Sequence, residues 1–205
     1  TELTDPQDSS TSGRYLELYN NGDSNVDLSG WSLERWTNAN TDQCSACSVD
    51  LTGGSIDAGG FYIVCSDQAK ISTAWPDLVC DLDLASSSEH PVNSNGDDNI
   101  GLANNGTIVD MFGLAGEDGS GTTHEFEDGR AERAADCTTA QSVYSDACWN
   151  TWCDSNGACD VNDNQYAADT FDPNAWIGAT SGPDPCADVD CDDGNSCTTD
   201  SCTDG

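Results

Sequence analysis

Alternating apolar and polar side chains predict a chain built largely of β-strands. In residues 14–20, Leu16 and Leu18 alternate with more polar neighbours, which is the period-two pattern of a half-buried strand. Asn-Gly-Asp at 21–23 follows with turn-forming residues. Residues 31–34 repeat the alternation around a tryptophan. The two segments therefore predict the start of an antiparallel sheet.

Further strands are predicted along the first half of the chain. Residues 61–65 are apolar on both faces, which predicts a central strand, and residues 78–84 alternate cleanly. Residues 97–103 and 107–112 flank Asn-Asn-Gly, and Asn-Gly between two apolar runs is a strong hairpin signal. A succession of short antiparallel strands predicts a β-sandwich.

The second half of the chain shows weaker patterns. Residues 113–170 are predicted to be rich in loops, and residues 171–177 to close the domain by packing Phe171 and Trp176 on it. The composition changes after Gly178. We therefore predict three parts: a sandwich over residues 1–178, a linker over 179–185, and an incomplete cysteine-rich module over 186–205 that has too few apolar residues for a core.

Charge and hydropathy exclude two classes of partner. The net charge is −33 and Lys70 is the only lysine, so the field of the chain repels nucleic acids. The most apolar stretch, residues 61–64, is far too short to span a bilayer, so we expect no membrane insertion. Such a charge suits divalent cations, basic partners or a salty medium, and acidic residues also keep proteins soluble.

Twelve cysteines indicate disulfides and an extracellular protein, either secreted or at the cell surface. Zinc is the alternative, but the spacing lacks a repeated C-x2-C frame and only two histidines are present. The pairs predicted in the sandwich are Cys44–Cys47, Cys65–Cys80, Cys137–Cys148 and Cys153–Cys159. The four tail cysteines allow three connectivities, of which we favour Cys186–Cys197 with Cys191–Cys202.

Two sites are predicted on polar residues. Asp188, Asp190 and Asp192 alternate, so with Asn195 they can supply oxygen ligands to calcium, whereas the alternative is a solvated acidic linker. Asn105 begins an Asn-Gly-Thr sequon at the predicted hairpin tip and is a candidate glycosylation site.

No catalytic constellation is visible, so we predict that the protein is not an enzyme. His90 and His124 have no nucleophile motif nearby, and the sequence contains neither a phosphate-binding glycine loop nor a His-Glu-x-x-His motif. Tryptophans can form a platform on which sugar rings stack. The candidates for such a platform are Trp36, Trp75, Trp149 and Trp152.

Four segments follow one another along the chain: TELTDP at 1–6, RYLELYN at 14–20 with LSGW at 28–31, NGDDNIGL at 95–102 with TIVDMFG at 107–113, and FDPNAW at 171–176. In this order they resemble the lamin tail domain family, specifically its secreted branch. The resemblance covers roughly residues 1–178. It implies an immunoglobulin-like β-sandwich that binds or scaffolds and has no catalytic site of its own.

We therefore expect a non-enzymatic extracellular structural or adhesion protein. Its copies would associate with one another, or with other extracellular proteins, into a surface coat, fibre or appendage. A first strand with an open edge would offer one route, by strand addition. The alternative is a carbohydrate- or calcium-dependent binding module of a secreted multidomain protein.

Overall fold

The computed structural model describes residues 1–87 and 89–179 and contains thirteen strands. These are β1 (Glu2–Asp5), β2 (Tyr15–Tyr19), β3 (Val26–Asp27), β4 (Trp31–Trp36), β5 (Val49–Asp50), β6 (Ser55–Ile56), β7 (Phe61–Cys65), β8 (Leu82–Asp83), β9 (Asn99–Asn104), β10 (Thr107–Phe112), β11 (Gly129–Arg133), β12 (Trp149–Cys153) and β13 (Val161–Asn162). The helices are α1 (Ser9–Ser12), α2 (Gln68–Ala74) and α3 (Ala167–Thr170), with 3-10 turns at Ser45–Cys47, Pro91–Asn93 and Asp146–Cys148.

The strands form an immunoglobulin-like sandwich of two main sheets, as predicted. The larger sheet has the order β13-β12-β11-β1-β2-β7-β8, and the smaller has the order β10-β9-β4-β5. A two-stranded sheet joins β3 to β6. β1 pairs with both β2 and β11, so the expectation that the first strand leaves an open edge is wrong.

The main core lies between the two sheets. Leu3, Leu16 and Ala131 come from the larger sheet, and Leu33 and Phe112 come from the smaller one. All five side chains are buried. Alternate residues of each strand point to this core because side chains in a strand alternate between its two faces.

The outer face of the larger sheet is also buried, which the alternation in residues 14–20 does not predict. Tyr15 on β2 and Ile63 on β7 pack against Ile71 of α2 and against Phe171. Glu17, predicted to face solvent, is only 1% exposed. The half-buried assignment of this strand is therefore wrong, because the helices and the segment after α3 cover the face that its polar residues occupy.

Two other segments differ in part from their predictions. Residues 113–170 are mostly loops, as predicted, but they also contain β11, β12 and β13. β11 was missed because Ala131 is its only apolar side chain, while its charged residues are buried in ion pairs. In residues 78–84, only Leu82–Asp83 forms a strand.

The predicted hairpin is confirmed as β9 and β10. Asn105 and Gly106 connect the strands with φ angles of 48° and 75°, so both adopt the positive φ that a tight hairpin turn requires. The closing segment is also confirmed, since Phe171 and Trp176 are both buried.

Four disulfides staple the loops of the sandwich, and they are the same four pairs that the cysteine spacing indicates. They are Cys44–Cys47, Cys65–Cys80, Cys137–Cys148 and Cys153–Cys159. Each disulfide holds a loop near the end of a strand, where the hydrogen bonds between strands do not by themselves fix the loop. The tail cysteines lie outside the described residues.

Candidate protein-interaction site

One end of the sandwich is open between the two sheets. The opening is a cleft of about 290 Å³ where β2 ends and β4 begins. Its apolar walls are Leu18, Val26, Trp31, Leu102 and Val109, each of which is only partly buried. Apolar groups left partly exposed at a concave site are suited to receive an apolar side chain.

An ion pair forms the polar wall of this cleft. Arg133 is 4% exposed, and its Nη1 donates to both carboxylate oxygens of Asp110 at 2.9 and 3.0 Å. Its remaining groups donate to the backbone oxygens of Cys137 and Thr139 at 3.2 and 2.6 Å. Every part of this guanidinium is therefore engaged, and it holds the loop that forms the rim.

The rim of the cleft is held from several sides. The Cys137–Cys148 disulfide closes the rim loop, and Asn21 donates to the backbone oxygen of Thr138 at 2.9 Å. Trp176 donates from Nε1 to the backbone oxygen of Arg133 at 2.6 Å. Because these contacts fix the rim, the cleft is formed before any partner binds, which reduces the ordering entropy of binding.

The opposite end of the larger sheet carries an exposed apolar side chain. Val79 is 78% exposed, the highest value among the large apolar side chains of the described residues. It precedes Cys80, which is bonded to Cys65 at the end of β7. The other end of β7 is Phe61, whose ring lies 4.8 Å from that of Tyr19 beside the cleft. Val79 and the cleft are thus separated by the length of this strand, about 17 Å.

Comparison with protein families gives one match: the family described as the Lamin Tail Domain matches residues 1–116. The chain belongs to the lamin tail domain family. Lamin tail domains are β-sandwiches that mediate protein interactions. No curated protein and no solved structure matches the chain.

The matched part of the lamin tail domain ends shortly after β10. The larger sheet continues beyond it, because β11 pairs with β1 and β12 pairs with β11. The five apolar wall residues of the cleft and Asp110 lie within the match, whereas Arg133 and the rim loop lie beyond it. The polar wall therefore joins a carboxylate of the matched part to an arginine that the family match does not cover.

Most metal and modification predictions remain untested. Asp188, Asp190, Asp192 and Asn195 lie outside the described residues. Within residues 1–87 and 89–179, no group of three or more His, Cys, Asp or Glu side chains is placed to hold a metal ion. Asn105 is exposed at the hairpin tip, which leaves its glycosylation a prediction.

The two histidines of the domain lie in different surroundings. His124 is buried, its Nδ1 lies 3.0 Å from the hydroxyl of Thr122, and its ring packs edge-on against Phe112. His90 is buried as well, and its Nδ1 has no hydrogen-bond partner among the described residues. Burial lowers the pKa of both imidazoles. The absence of enzymatic activity remains a prediction.

The four tryptophans proposed as a sugar-binding platform do not share one surface. Trp149 is partly buried and packs against the core, with its ring centroid 4.9 Å from that of Phe112. Trp152 lies under Arg130 on the other face of β12. Trp75 stacks edge-on against Tyr15 on the outer face of the larger sheet.

A cluster of buried acids on the outer face was not predicted from the sequence. Glu2 pairs in register with Glu17 on β2 and with Glu132 on β11. Tyr15 donates its hydroxyl to Glu2, and Arg130 lies 3.2 Å from the same carboxyl. Burial raises the pKa of Glu2 to about 8 and that of Glu17 to about 7. Only the strand pairing reveals this cluster, since the three glutamates are far apart in the sequence.

No helix among the described residues is both long and apolar enough to cross a bilayer.

Proposed function

We propose that this chain is a non-enzymatic extracellular structural protein whose lamin tail domains associate head to tail. The supporting observation is the placement of two complementary features at opposite ends of the larger sheet: an apolar cleft beside Tyr19 and the exposed Val79 beside Cys80. When identical copies contact each other through two different surfaces, each copy in a pair still has one unused surface for the next copy. Such contacts produce open assemblies, unless the rotation between successive copies closes a ring. Such assemblies are fibres, coats or appendages.

An extracellular location is supported by the disulfides. Four cysteine pairs are bonded within the described residues. Disulfides persist in oxidising compartments and are rare where thiols are kept reduced. A structural protein outside the cell is also exposed to proteases, and closed loops resist local opening.

The contact between two copies is expected to be weak by itself. Burying a valine side chain contributes about 1.5–3 kcal/mol. The cleft offers five partly buried apolar side chains to receive it. Because each contact is weak, we expect the assemblies to dissociate into single copies when the protein is diluted.

Charge opposes this association. Each copy carries a net charge of −33, so two copies repel each other. At physiological ionic strength the Debye length is about 8 Å, which screens most of the repulsion between exposed groups. We therefore expect association to increase with salt concentration, which is the reverse of the behaviour of an interface formed by ion pairs.

Sedimentation velocity over a range of protein concentrations, at low and at physiological salt, tests the proposal. Val79→Asp should abolish association. Val161→Asp is the control: it makes the same change in a side chain that is 43% exposed at the opposite edge of the larger sheet, and it should leave association intact. Thr139→Trp should also abolish association by covering the cleft, since only the backbone oxygen of Thr139 contacts Arg133.

A mixing experiment makes the test specific. Val79→Asp copies keep an open cleft, and Thr139→Trp copies keep Val79. An equal mixture should therefore form dimers and nothing larger, while the unmodified protein forms longer assemblies visible by electron microscopy. Equal association by the unmodified protein and both variants, or no association at any salt concentration, would contradict head-to-tail assembly.

A further inference from the structure

A second cavity, distinct from the cleft, is polar and rich in hydroxyl groups. It has a volume of about 380 Å³ and lies where β7 ends, at the opposite end of that strand from the cleft. Two of the five basic residues of the chain line it, Arg14 and Lys70, together with His90. Its serines are Ser9, Ser10, Ser66 and Ser87. Such a lining supplies hydrogen-bond donors and positive charge.

Lys70 is unusual because it has no carboxylate partner in the described part of the chain. The four arginines all form ion pairs, namely Arg14–Asp5, Arg35–Asp98, Arg130–Glu2 and Arg133–Asp110. The chain has 38 acidic residues, yet none of those described pairs with its only lysine. The ammonium group is therefore available to a ligand at this cavity.

Arg14 is held in place at the wall of the cavity. Its Nε donates to Asp5 at 2.6 Å and its Nη1 donates to the side-chain oxygen of Asn93 at 3.1 Å. Its backbone nitrogen donates to the hydroxyl oxygen of Ser66 at 2.9 Å. Since that oxygen accepts, the hydroxyl proton of Ser66 can be donated to a ligand.

His90 adds a buried polar atom that lacks a protein partner. The residue is part of the cavity lining and is 2% exposed, and its Nδ1 has no hydrogen-bond partner among the described residues. Arg35 donates to its backbone oxygen at 3.2 Å. Buried polar atoms are nearly always paired, so an unpaired one beside a cavity indicates a partner that the protein itself does not provide.

The one carboxylate among the lining residues is already engaged. Asp67 is part of the lining, but its Oδ1 accepts from the backbone nitrogens of Ala69 and Lys70 at 2.9 and 3.4 Å, which caps the start of α2. Its charge is thus directed at the helix. The lining contains two basic side chains, of which Arg14 is paired with Asp5 and Lys70 has no ion-pair partner among the described residues, in a chain that is otherwise strongly negative.

We propose that this cavity binds a tetrahedral oxyanion, phosphate or sulfate, either free or as an ester. Lys70 supplies the uncompensated charge, and the guanidinium of Arg14, the serine hydroxyls and His90 supply hydrogen bonds. Charge-assisted hydrogen bonds from a guanidinium and an ammonium are the usual means of recognising such anions. The cavity is larger than one anion, so it also has room for part of the group to which an ester oxygen is attached.

Calorimetric titration at physiological ionic strength tests this site. The probes are inorganic phosphate, inorganic sulfate, glucose 6-phosphate and galactose 6-sulfate, with acetate as a planar control. We expect one saturable site for the tetrahedral anions, and movement of the His90 ring resonances in NMR spectra as it fills. Tighter binding of the esters would identify an esterified partner, and tighter binding of the inorganic ions would identify a free anion; both results support the site.

Because Lys70 is exposed, its substitution tests binding without disturbing the folded structure. Lys70→Gln should weaken binding at least tenfold, and Lys70→Arg should retain it. Ser24→Asp lowers the net charge by the same amount at the cleft end of the sandwich, so it should leave binding unchanged. Equal affinity in the unmodified protein and Lys70→Gln, equal binding of acetate, or no saturable binding would overturn the proposal. None of these results depends on head-to-tail assembly.

Discussion

The carboxyl group of Glu2 makes a testable prediction about how stability depends on pH. Glu2 is 3% exposed, and burial raises its pKa from 4.5 to about 8. The folded state therefore holds a proton that the unfolded state releases near pH 4.5. Both states are protonated below that pH, so this group destabilises the fold only as pH rises, and its full effect is reached above pH 8.

The size of this effect follows from the two pKa values. Each pH unit that separates them corresponds to about 1.4 kcal/mol, so the complete effect is about 5 kcal/mol. About half of it, roughly 2–3 kcal/mol, arises between pH 5 and pH 7. Arg130, at 3.2 Å, and the hydroxyl of Tyr15 oppose the shift, and the pKa stays raised because desolvation is the larger contribution.

Glu2→Gln removes the ionisation while keeping the shape of the side chain. We expect the unmodified protein to lose free energy of unfolding more steeply than the variant between pH 5 and pH 8. Urea unfolding followed by tryptophan fluorescence at each pH measures the difference. Because glutamine cannot reproduce both contacts of the Glu2 carboxyl group, a loss of about 1 kcal/mol at every pH is also expected, and the test concerns only the slope.

A control substitution separates Glu2 from the general charge of the chain. Glu117→Gln makes the same change at an exposed position and should leave the slope unaltered. If Glu2→Gln and the unmodified protein show parallel pH profiles, the carboxylate is ionised in the folded state and Arg130 outweighs burial. That result would refute the reasoning.

Three further predictions concern local structure, and urea unfolding measures each. Gly96→Ala should lower the free energy of unfolding by more than about 3 kcal/mol, because its φ is 91° and a Cβ would overlap the backbone of a neighbouring loop. Gly53→Ala, at φ 98° with open space around it, should lower it by only about 1–2 kcal/mol. Equal losses in the two variants would show that overlap plays no part. Asp67→Ala should cost about 1 kcal/mol by removing the cap of α2, and an unchanged midpoint would contradict that role. Replacing Cys65 and Cys80 together by serine should cost about 3 kcal/mol by releasing a loop with a sequence separation of 15, and no loss would show that packing alone holds the loop.

Local sequence patterns were sufficient to predict the strands whose formation depends on neighbouring residues in the chain. The hairpin of β9 and β10 follows from Asn105-Gly106, since few residues other than Asn and Gly accept positive φ at both turn positions. β7 follows from an unbroken apolar run. The disulfide pairs between nearby cysteines are also local, because each joins residues at most 15 apart.

Other features depend on residues that meet only in the folded chain. β11 reads as polar, yet it pairs with β1 at the centre of the larger sheet because Arg133 and Arg130 find acidic partners on other strands. The cleft and Val79 lie at opposite ends of the larger sheet only because β7 runs from one to the other. No local pattern carries that information.

The sequence by itself determined the β-sandwich fold class and the disulfide pairs, because these depend on the period of apolar residues and on short separations. The family was indicated by the resemblance of four segments in their order along the chain. Only the tertiary structure decided which charges are buried together. Glu2, Glu17 and Glu132 lie side by side because β1 pairs with both β2 and β11. Lys70 and Arg14 share a cavity because α2 packs near the start of β2. Long-range pairing sets these distances, and the distances decide the pKa values and the binding surfaces.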